Sequence, residues 1–308
     1  MMRLIGSYGG GSYDESLVEV SNEFVEVEYP DVGSPTSVEE FRDTWFNASW
    51  FKPEDFCLVV ENERVLGYGY MWLSSDMFRA MLRLRPSLTK SYQLMVIDKI
   101  IEWFRKKVVR EGYTGLTRLR LGYEYRFLHN LLRELIEPIT VDYTATFMKL
   151  DINKYRGLAS KTNYGDLEII RGGLEHVKDI VEIYNDAFSQ YPWFIPWELE
   201  DAKRFYRDRL DKMIVFLAYK SGEPIGYCDG EIYTSISGAR VGYVYTLAVK
   251  RKYQGKGVGT KLLYKLIDEM IRGGYTNIYL DAVDGLEKYY MRRGFQIVTR
   301  SLSYIIIL

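Results

Sequence analysis

Three glycines alternate with other residues between a strand-like run and an amphipathic helix in the second half of the chain. The segment Gln254–Gly259 follows the β-rich run Gly242–Val249 and overlaps the start of a helical apolar stripe over Val258–Ile271. Glycine lets a backbone approach a ligand closely and adopt positive φ. The first turn of a helix adds unpaired N–H donors and the positive end of the helix dipole. Together these features favour the binding of a phosphate or pyrophosphate group.

Other interpretations of the same glycines can be weighed from the sequence. A P-loop requires Gly-Lys followed by Ser or Thr, whereas Gly255-Lys256 is followed here by Gly257. A Rossmann fingerprint requires a third glycine where Thr260 stands, although Asp281 lies at a tolerable distance for its acidic residue. Too few residues follow the motif to build the rest of a doubly wound sheet. A glycine-rich turn that holds no ligand remains open.

The glycine segment resembles the signature motif of the GNAT superfamily of acetyl-CoA-dependent N-acyltransferases, commonly written Arg/Gln-x-x-Gly-x-Gly/Ala. Gln254, Gly257 and Gly259 occupy its specified positions, after a strand that ends in Leu-Ala-Val. Downstream, residues 289–295 (Tyr-Tyr-Met-Arg-Arg-Gly-Phe) are similar to the family's aromatic-Tyr-x-x-x-Gly-Phe element. The resemblance extends over residues 166–308, because a strand, two helices and a three-strand meander precede the motif in the family's order.

This resemblance implies acetyl-CoA as co-substrate and a role for each motif residue. The strand backbone would hydrogen-bond the pantetheine arm, and the glycine loop would wrap the pyrophosphate. The acetyl thioester would lie between this strand and the one at Asn277–Ala282, where backbone N–H groups polarise the carbonyl that an amine attacks. Tyr290 matches the tyrosine that protonates the departing thiolate. The cofactor-binding residues so implied are Leu247, Ala248, Val249, Gln254, Gly255, Lys256, Gly257, Val258, Gly259 and Thr260.

The sequence departs from the family at the general base. The attacking amine must lose a proton, and a positioned base contributes about 10²–10⁴-fold to such a step. Family members that use a strand glutamate carry it where Tyr243 stands, and the asparagine common in others is Val283 here. Asp229, Glu231 and Asp281 are the carboxylates on neighbouring strands. Each could act directly, through water or only as a surface or orienting group, so the base stays unassigned.

The first half of the chain repeats the order of elements found in the second. Residues 59–68 are similar to residues 217–227, and residues 110–114 (Arg-Glu-Gly-Tyr-Thr) are similar to residues 272–276 (Arg-Gly-Gly-Tyr-Thr). Two such pairs in the same order indicate an internal duplication. We therefore expect an α+β fold of two GNAT-like domains, each a mixed, mostly antiparallel sheet flanked by helices.

The chain is predicted to contain a degenerate GNAT-like domain over 1–153, a polar linker over 154–165 and an acetyl-CoA-binding GNAT domain over 166–308. The first copy is considered degenerate because Ser87–Leu94, which stands opposite the glycine loop, contains no glycine. Its counterpart of the catalytic-tyrosine region, Tyr125–Arg133, has a tyrosine but lacks the following Gly-Phe. We expect this copy to support the active domain or to shape its acceptor pocket.

Composition excludes several other classes of function. The formal net charge of −1 provides no general attraction to nucleic acid or to an anionic membrane. Two cysteines and two histidines without metal-binding spacing predict neither a disulfide framework nor a metal site. No apolar run is long enough to span a membrane, and the N-terminus lacks a secretory signal. These features lead us to expect a cytoplasmic protein.

We therefore expect an N-acetyltransferase that moves the acetyl group of acetyl-CoA directly to a primary amine of a small molecule or peptide. The aromatic segment Tyr191–Trp197 occupies the region that lines acceptor sites in the family, and it suits either an apolar acceptor or a packed loop. The alternative is a non-catalytic acyl-CoA-binding sensor, which the missing strand glutamate favours. A nicotinamide-dependent oxidoreductase is supported by the glycine pattern alone. The acceptor and the oligomeric state, including a homodimer, stay open.

Overall fold

The structure of the chain divides into two compact units. The first comprises Met1–Ala145, Ser235–Ser237 and Thr299–Leu308, and the second comprises Thr146–Thr234 and Gly238–Val298. This computed structural model describes residues 1–28, 31–48, 50–74, 77–112, 116–120, 126–137, 140–159, 167–191, 194, 196–283 and 285–307. Among these residues, no helix is both long enough and apolar enough to cross a membrane.

In the first unit a long helix covers one face of a mostly antiparallel sheet. The elements run β1 (Arg3–Ile5), α1 (Asp14–Glu28), α2 (Val38–Thr44), β2 (Phe56–Glu61), β3 (Arg64–Ser74), β4 (Met77–Leu84), α3 (Lys90–Arg110), β5 (Leu116–Arg120), α4 (Arg126–Leu135) and residues 140–145 of β6 (Thr140–Leu150). Strands β1 to β4 form an antiparallel meander, and β5 joins β4 in parallel. Helix α3 buries Val96, Ile100 and Phe104 against this sheet. Residues 303–307 of the chain pair antiparallel with β5.

The second unit, which carries the glycine motif, has helices on both faces of its sheet. Its elements are α5 (Ile152–Ala159), β7 (Glu168–Arg171), α6 (Val177–Phe188), α7 (Leu199–Arg207), β8 (Met213–Lys220), β9 (Glu223–Thr234), β10 (Arg240–Val249), α8 (Val258–Arg272), β11 (Asn277–Val283), α9 (Glu287–Met291) and residues 295–298 of β12 (Phe295–Ile307). Strands β7 to β10 form an antiparallel meander, and β11 joins β10 in parallel. Phe216 packs with α8, while Val215 and Leu217 pack with α6 and α7, because alternate strand residues face opposite sides.

The two units share their element order and strand directions, which confirms the predicted fold class and the duplication. In each unit a two-residue turn joins the second and third strands with positive φ at both positions. Asn62 (φ 48°) and Glu63 (φ 60°) form the turn in the first unit, and Ser221 (φ 52°) and Gly222 (φ 79°) form it in the second. Turns of this kind match the right-handed twist of a hairpin.

A buried cation follows the fourth strand of each unit, at Arg85 and at Lys250. Arg85 is 1% exposed and Lys250 is 6% exposed. Arg85 forms ion pairs with Glu19 and Glu23 of α1, and Lys250 forms one with Glu182 of α6. Since α1 and α6 occupy the same place in the repeat, the same ion pair holds the first helix to the sheet in both copies. Comparison of the two halves of the sequence did not reveal that Arg85 and Lys250 correspond, because the residues that flank them differ.

Residues 154–159 form most of helix α5, where the sequence predicted a linker. Tyr155 is 1% exposed and packs in the core of the second unit. Its hydroxyl lies 2.7 Å from Asp268 Oδ1 and 3.1 Å from the carbonyl oxygen of Tyr264. The apolar residues of this segment recur at helical spacing, but the polar residues between them obscure the pattern in the sequence. The remainder of the predicted linker, 160–165, lies outside the described residues.

We expect the contact between Gly294 and Tyr155 to be intolerant of a side chain. Gly294 has φ 96°, and a Cβ atom there would lie 3.2 Å from the backbone of Tyr155. Gly294→Ala should therefore lower the free energy of unfolding by about 1–3 kcal/mol. Gly222→Ala is the matched control, because Gly222 has φ 79° with no atom near the added Cβ. Urea unfolding measures both, and equal losses would contradict the steric account.

Candidate active site

A cavity of about 720 Å³ lies in the second unit at the end of β10. Its walls come from the last residues of β10, the first turn of α8, the C-terminal half of α6 and helix α9. The predicted site residues line this cavity, with the exception of Lys256. Those that line it are Leu247, Ala248, Val249, Gln254, Gly255, Gly257, Val258, Gly259, Thr260 and Tyr290.

The glycine loop leaves the N-terminus of α8 open to the cavity. Gly257 is the N-cap residue with φ 84°, and no atom lies within 4 Å of the position a Cβ would take. Gln254 Nε2 donates to the carbonyl oxygen of Val249 at 3.0 Å and so ties the start of the glycine loop to the end of β10. The first turn of α8 contains no acidic residue. An anion placed here would meet N–H donors and the positive helix end without a competing carboxylate.

Arg293 adds a cation to this end of the cavity, and the sequence analysis did not single it out. Its Nε and Nη2 donate to Thr260 Oγ1 at 2.9 and 2.6 Å, and its Nη1 donates to the carbonyl oxygen of Tyr289. The guanidinium lies 3.4 Å from the centre of the Tyr289 ring. In the part of the chain that the structure describes, none of these donors reaches a carboxylate. A cation beside the positive end of a helix is unfavourable alone, so this arrangement favours a bound anion.

A β-bulge in β10 separates the end of this strand from β11. The register with β9 shifts between Val244 and Thr246, so that Tyr245 is the extra residue. The parallel pairing of β10 with β11 runs from Val241 to Val244 in the described ladder, although both strands continue beyond it. Beyond the bulge, the cavity separates the end of β10 from β11. The backbone groups of β10 on that side are therefore available to hydrogen-bond an extended ligand.

Tyr290 lies in the wall of this cavity on helix α9. Its side chain is 8% exposed and packs edge-on against Tyr289 and Phe295, with ring centres 5.0 and 5.9 Å away. Burial, and then the neighbouring Tyr289, raise the pKa of the Tyr290 phenol above its ordinary value. A raised pKa keeps the hydroxyl protonated near neutral pH, so Tyr290 can donate a proton but is a poor base.

The three carboxylates considered from the sequence have different environments. Asp281 lines the cavity, and the hydroxyl of Tyr243 donates to its Oδ2 at 2.6 Å. Asp229 is 1% exposed behind the wall, where the Tyr206 hydroxyl donates to its Oδ2. Glu231 is partly buried and accepts a hydrogen bond from Tyr245. Burial is the main cause of the raised pKa of both Asp229 and Glu231.

Aromatic side chains of α6 and the following turn form the opposite wall. Tyr184, Phe188 and Tyr191 line the cavity, with 4.7 Å between the ring centres of the first two and 6.1 Å between those of the last two. Tyr184 also packs against Trp197 at 5.3 Å. The aromatic segment singled out in the sequence thus contributes Tyr191 to the cavity and Trp197 to its support. Pro192, Trp193 and Ile195 lie outside the described residues.

The matching positions of the first unit differ from this arrangement. The register between β3 and β4 continues without a shift from Gly67 to Ser74, so the bulge has no counterpart in this ladder. Helix α3 begins at Lys90, and residues 85–89, which connect β4 to this helix, contain no glycine. Instead, Arg85 leads into this segment and is neutralised by glutamates of α1.

Comparison with known families gives a match within the second unit. Residues 177–295 match the family model described as the acetyltransferase (GNAT) family, and this range contains the cavity. This part of the chain is therefore similar to the GNAT family, as the glycine motif predicted.

Two curated proteins are similar to part of the chain. Mycothiol acetyltransferase of Mycolicibacterium vanbaalenii is 29% identical over 137 residues, which are 42% of this chain and 45% of that protein. An uncharacterized N-acetyltransferase of Archaeoglobus fulgidus is 26% identical over 106 residues, which are 33% of this chain and 72% of that protein. The match thus spans less than half the length of the mycothiol acetyltransferase.

Two solved structures resemble the whole chain in fold. A tandem GNAT protein from the clavulanic acid biosynthesis pathway has a TM-score of 0.70 and 13% identity, with coverage of 100% of this chain and 98% of that one. A GCN5-related N-acetyltransferase from Sphaerobacter thermophilus has a TM-score of 0.61 and 14% identity, with coverage of 99% and 95%. At these low sequence identities, the two comparisons support the tandem fold alone.

The buried carboxyl of Asp229 should make the stability of the protein depend on pH. Burial raises its pKa to about 6, although Tyr206 and Thr246 donate hydrogen bonds to it. Between about pH 4 and 6, the folded protein holds a proton that the unfolded chain has released, so the stability from this group falls as pH rises and is lost above pH 6.

Asp229→Asn removes this titration. Relative to the wild type, the variant should therefore gain about 3 kcal/mol in free energy of unfolding between pH 4 and pH 7, since the pKa shift is about two units. Urea unfolding of both proteins at the two pH values measures the change. A difference between wild type and variant that does not vary with pH would refute the assignment.

Proposed function

We propose that this protein is an acetyl-CoA-dependent N-acetyltransferase that acts on a primary amine of a small molecule or peptide. The observation that carries the proposal is the convergence, in one cavity, of the open α8 N-terminus, the free end of β10 and the buried phenol of Tyr290. These three features would bind, respectively, the phosphates, the pantetheine arm and the leaving sulfur of acetyl-CoA.

Electrostatics supports a polyanionic donor at the α8 end of the cavity. The backbone N–H groups that follow Gly257 and the hydroxyl of Thr260 would contact the pyrophosphate. Arg293 donates hydrogen bonds to Thr260 Oγ1 and to the carbonyl oxygen of Tyr289, and these bonds fix the guanidinium beside the N-terminus of α8. Its remaining N–H groups would donate to phosphate oxygens, which match the planar geometry of a guanidinium.

The chemical step would take place at the end of β10 next to Tyr290. A neutral amine attacks the thioester carbonyl, and backbone N–H groups of Leu247–Val249 stabilise the developing oxyanion. As the tetrahedral intermediate collapses, the C–S bond breaks, the thiolate takes the proton of Tyr290 and the nitrogen releases one proton to solvent. The phenolate of Tyr290 then recovers a proton from solvent. Because burial raises the pKa of this phenol, its proton is present near neutral pH when the thiolate develops beside it.

A non-catalytic acyl-CoA sensor is the second candidate function. The observation that favours it is Tyr243, which stands where a strand glutamate would serve as base in related enzymes. Steady release of coenzyme A thiol in the presence of acetyl-CoA and an amine supports the enzyme. Binding of acetyl-CoA without thiol release for any amine supports the sensor.

Arg293→Met should weaken the binding of acetyl-CoA by roughly 10- to 100-fold, because a charge-assisted hydrogen bond to phosphate is lost. Arg292→Met is the matched control, since Arg292 is adjacent and exposed and lies outside the cavity lining. Calorimetric titration of acetyl-CoA measures both variants. We expect one binding site per chain, because the first unit has neither the glycine loop nor the bulge. Two sites per chain, or equal effects of the two variants, would contradict this assignment.

Tyr290→Phe should lower kcat by about 10²-fold and leave the affinity for acetyl-CoA unchanged, because only proton donation to the thiolate is lost. Tyr264→Phe removes another buried phenol of the same unit, outside the cavity, and controls for packing. Thiol release over a range of pH measures both variants. Full turnover of Tyr290→Phe at every pH would exclude Tyr290 as the acid.

A further inference from the structure

A buried carboxyl, that of Asp229 on β9, lies directly behind the cavity wall. The β9–β10 ladder pairs Asp229 with Thr246, which is the first residue of β10 after the bulge. Asp229 is buried and does not line the cavity, whereas Thr246 is partly exposed and lines it. Thr246 therefore stands between this carboxyl and the space that a substrate would occupy.

The side chains of Asp229 and Thr246 lie on the face of the sheet that helices α6 and α7 cover. Tyr227, two residues before Asp229, and Ala248, two residues after Thr246, pack in one core with these helices, and alternate strand residues share a face. The aromatic wall of the cavity also belongs to α6 and the turn after it. Thr246 thus connects the buried carboxyl with the part of the cavity that α6 borders.

The environment of Asp229 suits a group that accepts a proton near neutral pH. Burial, the larger effect, raises its pKa to about 6, and hydrogen bonds from Tyr206 and Thr246 oppose this rise. A general base is most effective when its pKa lies near the operating pH, because it is then both ionised and sufficiently basic. The hydroxyl of Thr246 donates to the carboxyl, so its own oxygen can accept a proton from a donor in the cavity.

The groups packed around Asp229 are uncharged near neutral pH. Burial raises the pKa values of the phenols and of the thiol among them. These groups are Tyr184 of α6, Tyr206 of α7, Val215 of β8, Tyr227 and Cys228 of β9, and Thr246 of β10. Glu231, the next carboxylate along β9, accepts a hydrogen bond from Tyr245 and lies outside the cavity lining. Of the carboxylates on β9, Asp229 is thus the one with a hydroxyl between it and the cavity.

We propose that Asp229, acting through the hydroxyl of Thr246, takes up the proton that the acceptor amine must lose before it attacks. This assignment rests on the proposed function and supplies the base that the sequence left unassigned. The bound ammonium gives one N–H proton to Thr246 Oγ1 while the Thr246 hydroxyl gives its proton to Asp229, so no charged threonine forms. The neutral amine then attacks the thioester, and Asp229 returns its proton to solvent by the reverse route.

The aromatic wall favours this proton transfer. An ammonium that enters the cavity loses part of its hydration beside Tyr184 and Phe188. Desolvation disfavours the charged form and lowers the pKa of an ammonium. The difference in pKa between the bound amine and Asp229 is therefore smaller than it would be in water.

The test first finds an acceptor and then follows its reaction over pH. Thiol release from saturating acetyl-CoA is measured on the full-length protein with 2-phenylethylamine, spermidine and trilysine, and the amine that reacts fastest is kept. For the wild type, kcat/KM for this amine should rise with pH through about 6, as Asp229 ionises, and then level off. For Asp229→Asn it should be about 10²–10⁴-fold lower at pH 7. It should also keep rising toward the pKa of the free amine, because only amine that is already neutral can react.

Variants of the two hydrogen-bond donors test whether the pH profile follows this carboxyl. Tyr206→Phe should move the rise in kcat/KM to higher pH by about one to two units, since it removes a bond that favours the ionised form. Thr246→Val should behave like Asp229→Asn, whereas Thr246→Ser keeps the hydroxyl and should restore the wild-type profile. If Tyr206→Phe does not fold by circular dichroism, the two Thr246 variants decide.

Glu231→Gln is the matched control, because it neutralises the next carboxylate of the same strand, outside the cavity lining. Its pH profile should equal that of the wild type. A role of Asp229 in packing alone would lower the rate without changing the pH at which kcat/KM rises. The proposal is overturned if the rise near pH 6 survives in Asp229→Asn or disappears in Glu231→Gln.

The outcomes separate this relay from the proposed function. If the wild type acetylates an amine and Asp229→Asn keeps its pH profile, the relay is overturned while the proposed function stands. If calorimetry shows that the wild type binds acetyl-CoA but none of the three amines releases thiol, the sensor replaces the enzyme and the relay fails with it. If the wild type binds no acetyl-CoA, both candidate functions fail, and so does the relay.

Discussion

The register shift at Tyr245 is the constraint on which the rest of the site depends. A strand paired on both edges has no backbone groups left for a ligand, because each N–H and C=O is used in the sheet. The bulge ends the pairing of β10 with β11 at Val244, and the cavity lies beyond that point. The helix that follows the strand then directs its N-terminus to the same opening. One extra residue thus creates both a hydrogen-bonding edge and the space beside it.

The cavity has a cation, Arg293, at its α8 end and a carboxylate, Asp281, at its β11 end. The α8 end combines a helix terminus, Thr260 and Arg293, all of which favour an anion. The β11 end has Asp281 with the hydroxyl of Tyr243. Between them lie apolar and aromatic residues, whose low polarity strengthens each electrostatic contact.

The sequence was sufficient for the fold class, the duplication and the glycine loop, since each depends on local pattern. The glycine motif is contiguous, and hydrophobic periodicity marks α8 directly. Arg293 and the Tyr243–Asp281 pair were not recognised, because their roles depend on which strands are neighbours and where pairing ends. Helix α5 was missed because its stability comes from the burial of Tyr155 in a tertiary contact and not from local propensity.

The two copies show how a shared scaffold can keep its packing while one copy loses the features of a binding site. Both retain the buried cation after the fourth strand and its ion pair with the first helix, since a buried cation is costly without carboxylate partners. Gly255 and Gly257 do not contribute to packing in this way. A Cβ atom added at Gly257 would have no other atom within 4 Å, so packing does not require a glycine there. The positive φ of Gly257 nevertheless disfavours other residues. A copy released from ligand binding would therefore gain stability by losing such residues, and the uninterrupted β3–β4 ladder and the glycine-free start of α3 fit that expectation.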